Sequence, residues 1–261
     1  MNKCVFSWFG YVLPLQERVK IIKESGFDGT CLWWEDEIYP KTIPVEDMPS
    51  IVRDAGLIID NIHCPYVGAD GFWSTNNSLR QKEIDIYYSY IDACARHNIP
   101  YMIMHVNDEN PVMDSQKLGM ESIESLVRRA EEYGVKLAIE NTLNNDIIDL
   151  LLKEIPSEHL GLCYDSSHDW IAGQSYGELL VKWRERLYCT HLSDNNGIED
   201  KHWLPGDGKV NWQKIIPTII NEPIHSITME LLSSKIKIED PKEYLDTAYD
   251  RLEQMIIGSS R

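Results

Sequence analysis

Two histidines and several carboxylates crowd one short stretch of this chain, Leu187 to Trp212, which reads LYCTHLSDNNGIEDKHWLPGDGKVNW. It opens as a strand, Leu187–Leu192, with His191 near its end and Asp194 just beyond. A turn cluster of Asn195, Asn196 and Gly197 follows, then the pair Asp200 and His202, then the turn Pro205-Gly206-Asp207-Gly208. Imidazole and carboxylate groups at this density suit a divalent metal. A solvated loop rich in Asp and Asn has the same composition, so this stretch alone leaves both readings open. The other strands decide, by whether they bring matching ligands to the same place.

Short apolar runs alternate with longer amphipathic segments along the whole chain. Strands are expected at Lys3–Phe9, Gly29–Trp34, Leu57–His63, Tyr101–Val106, Val135–Asn141, Leu160–Asp165, Leu187–Leu192 and Ser226–Leu232. Helices are expected at Leu15–Ser25, Val45–Ala55, Ser78–His97, Ser115–Tyr133, Asn145–Glu154, Ser175–Arg184, Asn211–Ile220 and Pro241–Ile256. Eight strand–helix units in strict alternation imply a parallel sheet. Over 261 residues they predict an α/β fold, a single (β/α)8 TIM barrel spanning residues 1–261. An open doubly wound sheet would carry a glycine-rich phosphate turn after its first strand, and Trp8-Phe9-Gly10-Tyr11 is not one.

The formal net charge of −17 argues against a broad basic face for nucleic acid or anionic lipid. No run approaches the roughly 18 apolar residues of a membrane span, and MNKCVFSWFG lacks a signal peptide's long apolar region. A cytoplasmic location is expected, and a homo-oligomer is compatible with the sequence. The six cysteines form no C-x-x-C pair and read as buried free thiols.

Side chains alternate along a strand, so positions two apart share a face. Setting Glu140 inward takes Ala138 with it, and Asp165 takes Cys163 and Gly161. His191 takes Cys189, Glu230 takes Thr228 and Ser226, and His105 takes Ile103. The residues left facing the helices are large and mostly apolar, Tyr164 and Tyr188 among them. Each strand's last inward position is ionisable and lies at a C-terminal strand end, where barrels of this class place their chemistry. Burying Glu140, Asp165 and Glu230 together without a cation would cost about several kcal/mol each, or force protonation. A divalent metal resolves that conflict.

The matching elements then form a longer pattern. It comprises His63-Cys64-Pro65-Tyr66, Ile139-Glu140-Asn141, Asp165-x-x-His168, His191-Leu192-x-Asp194, Asp200-x-His202, Pro205-Gly206-Asp207-Gly208-x-x-x-Trp212 and Met229-Glu230. In order and spacing it resembles the xylose-isomerase-like TIM barrels, which include sugar isomerases and epimerases and the endonuclease-four-type abasic-site nucleases. The sugar-enzyme branch implies one metal (Mn, Mg, Co or Zn) held by Glu140, Asp165, His191 and Glu230. The nuclease branch implies up to three Zn, adding His63 and His105 beside Glu140, and His168, Asp200 and His202 around a third ion.

The leading expectation is a metal-dependent isomerase or epimerase of a sugar, sugar acid or cyclitol, with Glu140 and Glu230 exchanging the proton beside a carbonyl. His168 is expected to contact the substrate, and Trp8, Trp34 and Trp73 to wall a sugar face. The alternative is a metal-dependent phosphodiesterase of the abasic-site type. Nucleic acid is the less expected partner, because Trp34-Glu35-Asp36-Glu37 would repel a phosphate backbone. Lys209, beside Gly208, is the one basic residue near the cup that would suit a substrate phosphate.

Overall fold

A computed structural model describes residues 1–107, 114–172, 176–232, 234 and 237–259. Its strands are β1 (Asn2–Phe6), β2 (Gly29–Trp33), β3 (Ile58–His63), β4 (Tyr101–Met104), β5 (Lys136–Glu140), β6 (Leu160–Asp165), β7 (Leu187–His191) and β8 (Ser226–Met229). They pair in parallel in the order β7-β6-β5-β4-β3-β2-β1-β8. The seam between β7 and β8 is joined by the Leu192–Met229 bridge. There the Leu192 N–H donates to the Thr228 carbonyl at 3.0 Å, and the Glu230 N–H donates to the Leu192 carbonyl at 3.2 Å. The Thr190 hydroxyl also ties the seam, accepting from the Thr228 N–H at 2.9 Å. Eight parallel strands in a nearly closed ring, with helices between, make the predicted (β/α)8 barrel.

The helices are α1 (Leu15–Glu24), α2 (Met48–Asp54), α3 (Asn77–Arg96), α4 (Gln116–Tyr133), α5 (Asn145–Glu154), α6 (Ser166–Ala172), α7 (Glu178–Trp183), α8 (Trp212–Ile220) and α9 (Pro241–Ser259). Their local causes are ordinary. In α4, Ser115 caps the first turn through Leu118 N–H at 3.3 Å, and Gly134 stops the last at φ +69°. Its buried residues Ile123, Leu126, Val127 and Ala130 recur at helical spacing and form the face turned to the barrel. Among the described residues no helix is long and apolar enough to cross a membrane.

Three differences from the sequence reading matter for the site. β4 and β8 end at Met104 and Met229, so His105 and Glu230 sit one residue past them. The segment after β6 holds two helices instead of one, and the expected start at Ser175 lies outside the described residues. α6 begins directly off the strand because Asp165 caps it, its Oδ1 accepting the His168 N–H at 2.6 Å.

The core has two compartments. Leu137, Ile139, Leu160, Leu162 and Tyr164 join the layer between sheet and helices. Tyr101, Ile103, Ala138, Cys163 and Cys189 form a separate cluster inside the barrel. Tyr188 is the exception to the expected alternation, since it packs against the interior cluster and sits 5.9 Å from Tyr101, ring to ring. The β6–β7 pairing shifts register between Leu162 and Cys163, and that irregularity breaks the period of two. All six cysteines are free and buried.

Candidate metal centre

The rim of the barrel collects the ionisable residues at one point. His63, Glu140, Asp165 and His191 close β3, β5, β6 and β7. Glu140, Asp165, His191 and Glu230 each offer one ligand atom, and these atoms all lie within 4.8 Å of one another. His191 Nδ1 is 3.1 Å from Glu140 Oε1 and 3.2 Å from Glu230 Oε2. Yet both His191 nitrogens, Glu140 Oε1 and Asp165 Oδ2 are buried without a hydrogen bond. Atoms this close and still unbonded are buried polar groups without a partner among themselves. Stranding them carries a desolvation cost that a cation would relieve. Three carboxylates and one imidazole form a mainly hard donor set, and the residues fit a divalent ion such as Mn, Mg, Co or Zn.

Neighbouring groups fix the orientation of these donors. Asn141 clamps β5 to β6, donating to the Asp165 carbonyl at 2.9 Å and accepting the Asp165 N–H at 2.8 Å. His63 places Nδ1 on the Cys64 carbonyl at 2.9 Å and Nε2 toward Glu140 Oε2 at 3.0 Å. Its ring stacks on His191 at 5.4 Å, and Tyr66 stacks on His105 at 4.4 Å. His63, Glu140 and His191 form a second group able to hold a metal.

The electrostatics follow from this crowding. Burial pushes the Glu140 carboxyl up, but His191, His105 and His63 outweigh it and hold the group well below the usual range. Asp165 is pushed up to about 7, first by burial. Burial works against the charged form of His191, but Cys163, Glu140 and Glu230 leave its pKa well above the usual value. A proton and a metal therefore compete for the same nitrogen.

Residues 19–255 match the family described as the xylose isomerase-like TIM barrel. The chain belongs to this family. Fructoselysine 3-epimerase of Shigella flexneri is 20% identical over 270 residues, covering 95% of this chain and 96% of that one. A probable endonuclease 4 of Thermoplasma volcanium is 26% identical over 158 residues, covering 52% of this chain and 55% of its own. The solved structure of a D-tagatose 3-epimerase-like protein matches 100% of this chain and 98% of its own at a TM-score of 0.80 and 19% identity. That likeness establishes the shared fold.

Within this xylose isomerase-like barrel, the outer residues are bonded to each other. Asp200 Oδ2 meets His168 Nε2 at 3.1 Å and His202 Nε2 at 2.8 Å, and its Oδ1 accepts from Ser167 Oγ at 2.6 Å. His168 Nδ1 lies on the Asn141 carbonyl at 2.9 Å. Both of its nitrogens face acceptors, an arrangement that favours the doubly protonated ring. Its pKa accordingly stands well above the usual value, Asp165 and Asp200 overriding the opposing effect of burial. Asp194 is consumed by the loop. It accepts from the N–H groups of Asn195, Gly206 and Val210 and from Trp212 Nε1, at 2.9–3.0 Å.

Above the cup lies a cavity of about 710 Å³, walled on one side by Phe6, Trp8, Trp33 and Tyr66. Of the three tryptophans expected there, the structure places Trp8 in the wall and the other two elsewhere. Trp34 is in the helix-facing core, 5.8 Å from His97, because Trp33 is the residue that pairs with His63 and shares the inward face. Trp73 is fully buried, donates to the Val106 carbonyl at 2.6 Å, and fills space that a Cβ at Gly119 would overlap. Trp33 is two residues beyond inward-facing Cys31, so strand parity points to it.

Proposed function

We propose that this protein is a divalent-metal-dependent sugar isomerase or epimerase that works by proton transfer beside a carbonyl. The observation that carries this reading is the convergence of ligand atoms from Glu140, Asp165, His191 and Glu230 at the foot of the cavity, with atoms of the first three buried and unbonded. The near full-length likeness to a fructoselysine 3-epimerase supports the substrate class. A cation held by these four residues supplies polarisation of the carbonyl and stabilises charge developing on its oxygen.

Glu140 and Glu230 enter the cavity from β5 and from the end of β8, so a hydroxyketone between them meets a carboxylate on each face. One takes the proton next to the carbonyl and the other returns it to the opposite face. The two are not equivalent. The Glu140 side chain is 1% exposed with Oε2 toward His63, whereas Glu230 is 15% exposed and has the freer access to substrate. His168 lines the cavity with both nitrogens engaged, so it acts on substrate by way of Asp200 and its own charge.

The phosphodiesterase reading draws on the endonuclease 4 relative and on His63, His105, His168, Asp200 and His202 all lining the cavity. Against it stand the mutual bonding of the outer trio and a cavity rim of Glu35, Asp36 and Glu37. The deciding experiment incubates metal-loaded protein in D2O with ketoses, inososes and keto sugar acids, and separately with abasic-site DNA. Carbon-bound proton exchange seen by NMR is the expected outcome. Absence of exchange across the panel, with metal-dependent DNA cleavage, would select the nuclease.

A further inference from the structure

The cavity wall on the β1–β2 side carries a polar feature outside the cup. Arg18 lies on the buried stripe of α1 with Leu15, Val19 and Ile22, and is only 3% exposed. It lines the cavity together with Trp8 and Glu37. Its Nη2 bonds Glu37, and its guanidinium sits 4.7 Å from the Trp8 ring centroid. A guanidinium has five N–H donors on three nitrogens, and Glu37 engages one of those nitrogens. Arg18 Nε and Glu37 Oε1 are both buried without a partner. A buried arginine with unused donors in an apolar stripe is destabilising unless a ligand completes its bonds.

Charge selects the ligand. Arg18 and Glu37 neutralise each other, and Arg18 is the one Lys or Arg among the described residues that line the cavity. Glu35, Asp36 and Asp200 also line it, and Lys209 does not. An anion beside Arg18 would meet Glu37 and the acidic rim of Glu35 and Asp36. A hydroxyl fits, since it accepts from Arg18 and donates to Glu37 Oε1 at the same time. The Trp8 face beside it suits the C–H surface of a sugar ring.

We propose that Arg18 and Glu37, packed against Trp8, form a subsite that binds a hydroxyl of a neutral sugar and turns away sugar phosphates and sugar acids. The choice of a sugar rests on the function proposed above. The test therefore reads binding separately from turnover. D-fructose, D-tagatose and L-ribulose, and their terminal phosphate esters, are titrated by calorimetry into metal-loaded protein, with proton exchange followed in parallel.

At least one free ketose is expected to bind, with its phosphate ester at least about 100-fold weaker, the scale of a like-charge juxtaposition in a partly dry pocket. Glu37→Gln leaves Arg18 unneutralised and should narrow that gap by about tenfold through tighter ester binding. Arg18→Gln should weaken the free ketose by about tenfold or more. Circular dichroism checks its fold, and Arg18→Lys, which keeps the charge but loses the planar fork, replaces it if it does not fold. A phosphate ester binding as tightly as its free sugar overturns the subsite. So does binding that ignores both substitutions, or failure of every free ketose to bind. The expected binding pattern without proton exchange keeps the subsite and refutes the epimerase reading. Exchange confined to the phosphate esters does the reverse.

Discussion

Two groups of similar residues share this cavity and differ in how their atoms are satisfied. In the inner group, His191 lies 3.1 and 3.2 Å from two carboxylates and bonds neither. In the outer group, Asp200 is shared between His168 and His202 and tied to Ser167, leaving His202 Nδ1 as the one imidazole nitrogen over. Residue type and proximity are alike in the two groups. What separates them is whether the polar atoms are used up among themselves, and on this ground we propose the inner group as the place for a cation and the outer group as a brace for the loop above it.

The sharpest way to break this contrast is Glu230→Gln. It removes one converging charge and one proton-transfer group, and should lower kcat/KM by about 1,000-fold or more in the proton-exchange assay. The circular dichroism spectrum should be unchanged, because the substitution keeps the backbone bond from the Glu230 N–H to the Leu192 carbonyl. A variant within about threefold of the parent would remove Glu230 from the chemistry.

The inner group was readable in the sequence because parity along a strand is a local property. Each of Glu140, Asp165, His191 and Glu230 is the last inward position of its run, and eight alternating runs leave little choice of fold. The bonding of the outer group was not readable, since it depends on the path of the loop that Asp194 gathers through four donors. Trp34 was misplaced because the period of two along β2 puts Trp33 on the inward face instead, and Trp73 because it lies in the loop after β3, where no strand period fixes a face. Arg18 was not singled out in the sequence, because the helical period of Leu15, Val19 and Ile22 does not show that a charge between them meets Glu37, Trp8 and a cavity.

Metal removal probes the same contrast with a smaller effect. Metal at 100 times its Kd should stabilise the fold by about 2.7 kcal/mol, or roughly 5–10 °C in Tm for a chain of this size. Asp165→Asn should abolish most of that gain, and Asp200→Ala should retain it. The pH dependence of the metal-free protein follows from Asp165, raised to about 7 first by burial, and from His202. Burial lowers His202, but Glu230 and Asp200 raise it further, to about 9. A group whose folded pKa is raised stabilises the fold while protonated. That contribution is complete below the unfolded value and lost as pH rises through the folded one. The Asp165 contribution is lost between its ordinary 3.8 and about 7, and the His202 contribution between 6.5 and about 9, so the metal-free Tm should fall from about pH 5 to pH 9, while saturating metal flattens the curve. A metal-free Tm that rises across this window would contradict the proton-loaded cup.

The smallest expected effect is the most discriminating between the two enzyme readings. Asp200→Ala removes the acceptor shared by His168, His202 and Ser167, but its carboxylate is 32% exposed, so water takes over part of the role. Loss of Tm should be a few degrees, in line with about 1 kcal/mol. If the outer group is a brace, proton exchange should fall less than about tenfold, and His202→Ala should behave alike because both act on the same loop contact. If these residues held metals of their own, either change would strip an ion from the reaction and match Glu230→Gln in severity. Measuring all three variants in one assay places the boundary of the reacting site on one side or the other of Asp200.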